Sequence, residues 1–76
     1  MDRLLNRSVE DSLKLEMVYQ AHNGLITQRT ISVKSYNEIQ LIAFCHYRNQ
    51  NRLFRRDRIL SLFPLHRQKV INDLYN

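Results

Sequence analysis

Hydrophobic periodicity divides the chain at Leu15. Before it, Leu4, Leu5, Val9 and Leu13 recur at helical spacing among charged and polar residues, which predicts one short amphipathic helix across residues 2–14. Ser8 with Asp11 three positions on offers a second start, a capping box that begins the helix proper near Val9. From Leu15 the period is two, with Leu15, Met17 and Tyr19 on one side and Glu16, Val18 and Gln20 on the other, so a strand follows the helix directly. His22, Asn23 and Gly24 supply the positive-φ residues of a tight hairpin turn. A second strand is expected from Leu25 to Lys34, with Arg29 in the middle of its apolar face. After Ser35–Glu38, the run Ile39–Tyr47 is apolar at both parities and reads as a central strand whose second face the helix covers. Leu53–Arg55 and Ile59–Phe63 make two further strands, separated by a bend at Asp57-Arg58, and Pro64 ends the last of them. Val70, Ile71, Leu74 and Tyr75 are spaced for a closing helix within Leu65–Tyr75.

These elements predict a mainly β fold with flanking helices: a small five-stranded antiparallel barrel of the Sm or SH3 type over residues 1–64, with 65–76 as a helical extension of the same domain. Closure would remove exposed sheet edges. A barrel of that size is too narrow to enclose a ligand, so binding is expected on its surface or in a groove between strands. At 76 residues a single core buries only ~60% of the unfolded chain's surface. One domain is the limit.

Charge changes the picture more than composition does. The net charge is +5, but residues 1–27 carry Arg3, Arg7 and Lys14 against Asp2, Glu10, Asp11 and Glu16. The excess therefore lies downstream, where Arg48, Arg52, Arg55, Arg56 and Arg58 crowd one segment. Such asymmetry favours phosphate, nucleic acid or acidic partners, and arginine's planar fork suits bidentate contact with phosphate or carboxylate. The single cysteine, Cys45, lies in an apolar run, where a thiol acts as a small hydrophobe, and a reducing cytoplasm is the expected compartment. No run reaches about 18 apolar residues, so no membrane span is expected, and the N-terminal residues lack an export signal.

Catalytic and metal chemistry find little support. His22, His46 and His66 are far apart in sequence, Cys45 and His46 are neighbours that face opposite sides of a strand, and Gly24 stands alone. No triad, metal-ligand spacing or phosphate loop emerges, so neither enzyme activity nor a cofactor or metal is expected. Arg29 admits two readings, a core-edge cation paired with Glu16, Glu38 or Asp57, or a ligand-facing cation in a groove; some anion has to answer it. Asp57, between Arg56 and Arg58, reads as a structural partner that ties the last two strands together. In an extended chain Arg52, Phe54 and Arg56 share one side. That arrangement either offers phosphate contact and base stacking or buries Phe54 and leaves the arginine stems at the surface.

Tyr19, Gly24, Arg29, the run Leu41–Arg48 and the segment Arg52–Ile59, with its R-x-F-x-x-D-R-I ending, together resemble the WYL domain, a bacterial regulatory module. The likeness spans about Leu4 to Leu62. Ile39, Gln40 and Leu41 stand where that family has its naming tripeptide, so its Trp and Tyr are absent here, as is a proline near Val33. The resemblance implies an Sm-like barrel that senses ligands or binds nucleic acid in transcriptional regulation, commonly attached to a separate DNA-binding domain. It also implies that Tyr19, Arg29, Arg52, Arg56 and Arg58, with His46, face the ligand. The expected function is thus a stand-alone, non-enzymatic module that binds a nucleotide or single-stranded nucleic acid, with a protein carrying a DNA-binding domain as a possible partner. The alternative is a protein interaction or homo-oligomerisation module that binds an acidic partner.

Overall fold

The computed structural model describes residues 1–65. It contains a helix α1 (Asp2–Asp11), then strands β1 (Leu15–Gln20), β2 (Ile26–Tyr36), β3 (Gln40–Cys45) and β4 (Gln50–Arg55), a single 3-10 turn (Arg56–Arg58), and β5 (Ile59–Pro64). The expected closing helix lies outside the described residues.

Antiparallel pairing joins the strands in the order β4-β3-β2-β1-β5. The two edge strands, β4 and β5, are therefore consecutive in sequence, linked only by Arg56–Arg58. Across a flat sheet, four strand spacings would hold them about 19 Å apart. The link from Arg55 to Ile59 spans at most about 15 Å even when fully stretched, and a 3-10 turn is shorter still. The sheet must curl to bring its edges together, and the register shifts at Val18/Tyr19 and Val33/Ser35 supply local bends. Among the described residues no ladder joins β4 to β5, so the sheet is curled and open where a closed barrel was expected.

The inner face of the curl holds the core. Leu15, Met17, Ile31, Val33, Leu41, Ala43 and Phe54 are buried there together with Leu5 of the helix, because alternate residues of each strand share that face. Ser8 fixes the helix to the sheet. Its hydroxyl donates to the Leu13 carbonyl (2.6 Å) and accepts the Val33 backbone N–H (2.8 Å). Ser8 is thus a buried tie between α1 and β2 where the sequence suggested a capping residue, and the helix starts at Asp2. It ends at Ser12, in the left-handed region at φ 55°.

The helix lies on the inner face, so it does not cover the second face of β3. Ile42 remains 40% exposed and its outer-face neighbour on β4, Leu53, 54%. In the first hairpin, Gly24 has a positive φ (90°) while His22 and Asn23 do not. Asn23 instead accepts the Leu25 N–H on its side chain. The hairpin between β3 and β4 turns on Asn49, at φ 59°.

Candidate functional site

The end of the inner face away from the helix is built from polar and aromatic groups. Tyr19 ends the inward row of β1, and its ring meets Phe54 edge-on at 5.1 Å. The backbone N–H of Arg55 donates to the Tyr19 hydroxyl at 3.0 Å. That contact caps an edge N–H of β4 and leaves the phenolic hydrogen free to donate to a ligand.

Arg29 projects from β2 into the same region. Its Cζ lies 5.7 Å from the centre of the Phe54 ring, Nε donates to the Thr27 hydroxyl (3.2 Å), and Nη1 points at the Cys45 sulfur (3.8 Å). Among the described residues no carboxylate lies within ion-pair distance of it. Glu16, one of its expected partners, is occupied on the outer face by Gln28 and Thr30. A half-buried guanidinium stacked on an aromatic ring and held by neutral groups retains its charge and much of its donor capacity.

A hollow of about 350 Å³ opens beside these groups, lined by Tyr19, His22, Arg29, Arg52, Arg58 and the β4 segment around Phe54. Its described lining contains no acidic residue. Arg52 and Arg58 are both partly buried and, among the described residues, neither is in an ion pair. The arrangement concentrates positive charge beside the Tyr19 hydroxyl, which suits an anion; Phe54 itself is buried in the core, so it supports the arginines and offers no open face for stacking.

Four residues expected at the site, Tyr19, Arg29, Arg52 and Arg58, therefore meet around one hollow. Arg56 does not join them. The chain leaves the strand after Arg55, so the alternation that put Arg56 beside Arg52 no longer applies, and its guanidinium pairs with Asp2 at the start of the helix. Arg56 also donates to the Asn37 carbonyl (2.7 Å) and lies over Tyr36, which makes it a clamp between the helix and the sheet. His46 is on the outer face, where it hydrogen-bonds Ser32 (2.7 Å) and packs edge-on against Phe44. Burial, then Lys14 and Lys34, hold its imidazole below the ordinary range. Asp57 binds Arg55 through both oxygens at 3.0 and 2.8 Å, and this pair holds the carboxylate below its usual range. The contact is local and exposed, and it does not tie β4 to β5.

His22 was not expected at the hollow. It arrives there because the loop after β1 folds over the Tyr19 end, and no periodicity marks a loop residue. Cys45 is fully buried, as its apolar run suggests. Burial pushes its thiol up, but the backbone N–H of Arg48, the Arg29 guanidinium and the N–H of Tyr47 outweigh that and hold it below its usual range. Among the described residues there is no cluster of three His, Cys, Asp or Glu side chains that could hold a metal ion, and no helix long and apolar enough to cross a membrane.

No protein-family profile matches the chain, and no curated protein matches it in sequence. Its fold is similar to part of a solved structure, the proteasome accessory factor B/C (PafBC) of Arthrobacter aurescens, with a TM-score of 0.69 at 24% identity. The match covers 87% of this chain but only 11% of PafBC, so the likeness concerns the fold of a small segment of that protein.

Proposed function

We propose that the chain is a WYL-like, Sm-type regulatory module that binds a phosphate-bearing ligand, a nucleotide or single-stranded nucleic acid, in the hollow between Tyr19, Arg29, Arg52 and Arg58. The observation that carries this reading is the grouping of three arginines, none of them ion-paired among the described residues, beside the Tyr19 hydroxyl. In this reading Arg52 and Arg58 contact phosphate, Arg29, steadied on the buried Phe54 ring, adds a third cation, and Tyr19 donates a hydrogen bond. A part in transcriptional regulation is compatible with the likeness to a segment of PafBC and with the WYL-like motifs, and the chemistry asked of the site is recognition, without bond-making.

Titration of short oligothymidylates and nucleoside phosphates at several salt concentrations tests the proposal. Affinity should fall as salt rises, with a slope set by the number of phosphates neutralised. Arg52→Ala and Arg58→Ala should each weaken binding about tenfold and flatten that slope. Unchanged affinity in both variants, or no salt dependence, would remove the electrostatic mechanism.

A second reading, self-association, is favoured by Ile42 and Leu53, which are paired across β3 and β4 and exposed on the outer face. Sedimentation of the wild type and of Ile42→Asp separates it from the first, since Ile42, unlike Leu53, does not line the hollow.

A further inference from the structure

Arg29 lines a second hollow as well as the first. This one, about 340 Å³, is bounded by Thr27, Gln28, Arg29, Tyr47 and Arg48. No acidic residue is among that described lining. Its far wall is the turn between β3 and β4, held by the Asn49 N–H bonded to the Cys45 carbonyl (2.7 Å) and by the positive φ of Asn49. This turn presents Tyr47 at 83% exposure. The Arg48 guanidinium lies 5.8 Å from the ring centre, so a cation covers one face of an aromatic ring that is otherwise open to solvent. Tyr47 packs into no part of the core.

An exposed ring with a guanidinium beside it can stack a base and meet the adjoining phosphate. The first hollow offers the phosphate contacts, through Arg52 and Arg58, but its Phe54 ring is buried, so an open stacking surface is what Tyr47 adds. Arg29 stands between the two hollows, fixed through Nε by Thr27 and with further donors available.

We propose that Tyr47 and Arg48 form a second subsite, continuous through Arg29 with the first hollow, and that the combined site takes a single strand of more than one nucleotide in preference to a lone nucleotide. This inference rests on the phosphate-binding reading of the first hollow and adds the ligand's length to it. Tyr47 supplies a sequence-tolerant stacking surface, Arg48 neutralises a phosphate at that end, and Arg29 contacts the backbone between the two ends.

The test compares thymidine 5′-monophosphate with an eight-residue oligothymidylate, titrated against the full chain by calorimetry or by chemical-shift perturbation. Tyr47→Ala and Arg48→Ala should each weaken the oligomer about tenfold, the size expected for losing one stacked base or one phosphate contact. Both should leave the monophosphate unchanged. Tyr47→Phe should retain oligomer binding, because stacking needs the ring and not the hydroxyl. Arg52→Ala should weaken both ligands. If Arg52→Ala weakens the oligomer while Tyr47→Ala and Arg48→Ala bind it like the wild type, the second subsite is overturned and the first hollow stands. If neither ligand binds the wild type, or Arg52→Ala changes nothing, the phosphate-binding reading fails and takes this inference with it. Because Tyr47 and Arg48 are both exposed, their variants should fold, and an unchanged urea midpoint checks that they do.

Discussion

The two ends of the inner sheet face both contain polar groups, yet they treat them differently. At the helix end, Ser8 is buried with its hydroxyl used twice, once as donor and once as acceptor. Arg56, at the same end, has a carboxylate, a carbonyl and an aromatic ring for partners. At the arginine end, Arg29 is comparably enclosed but has only a hydroxyl, a sulfur and a ring. Internal partners make a polar group part of the scaffold. A cation supplied with only neutral partners keeps its electrostatic demand for something from outside, so the contrast between Arg56 and Arg29 separates the end that holds the fold from the end proposed to meet a ligand.

The strongest challenge to this contrast is Ser8→Ala. It strips two backbone groups of a buried partner and should destabilise the chain by about 2 kcal/mol, seen as a lower urea midpoint, with phosphate affinity unchanged wherever the protein is folded. At the opposite end, Arg52→Ala should show the reverse pattern. Its tenfold loss of affinity should come with a stability change within about 0.5 kcal/mol, or with a small gain, because one of several like charges is removed. A marked fall in midpoint for Arg52→Ala would show that this arginine belongs to the scaffold after all.

Tyr19 belongs to both sides of the comparison. Tyr19→Phe keeps the edge-on contact with Phe54 but leaves the Arg55 N–H without its acceptor. Stability should fall by about 1 kcal/mol at most, and ligand affinity should fall modestly through the missing phenolic donor.

The smallest effect concerns His46, which gives the outer face a pH signature of its own. Its imidazole is held below the ordinary value of about 6.5 by burial and two lysines. As pH falls through that value the unfolded chain takes up a proton that the folded chain resists, so stability declines until the folded-state value is passed. His46→Gln should flatten this part of the stability profile between neutral and mildly acidic pH. Ligand binding at the hollow should show no corresponding step, since His46 faces away from it.

Much of this was legible in the sequence for physical reasons. Period two from Leu15 onward gives the strands and their inner faces, and the same alternation already separates His46 from Cys45. Taken strictly, it would have removed His46 from the site. Arg52 and Phe54 were correctly placed on one side because they stand in a continuous strand. The alternation misled for Arg56 because the backbone changes to a 3-10 turn at that residue, and nothing local announces that change. Its partner, Asp2, lies 54 positions away, a distance over which pattern carries no information. Ser8 was unreadable for a similar reason: both its partners depend on where the helix docks, and a serine near a helix start is more simply read as a cap. The curl of the sheet was anticipated as a closed barrel. The pairing stops short of closure, and the unpaired edge of β4 borders the hollow.

The strand order also sets a sequence of events in time. Consecutive hairpins can join β1 to β2, β2 to β3 and β3 to β4 through short local turns, but pairing Tyr19 with Ile59 closes a loop of about forty residues. This is the pairing of highest sequence separation among the described strands, so it is expected to form more slowly than the local hairpins. Since the turn that leads into β5 carries Arg58 and draws β4 toward Tyr19, the proposed anion site should be completed late in folding. On that proposal a nascent or partly opened chain would be silent toward the ligand, and a bound ligand would slow unfolding by holding β5 in place.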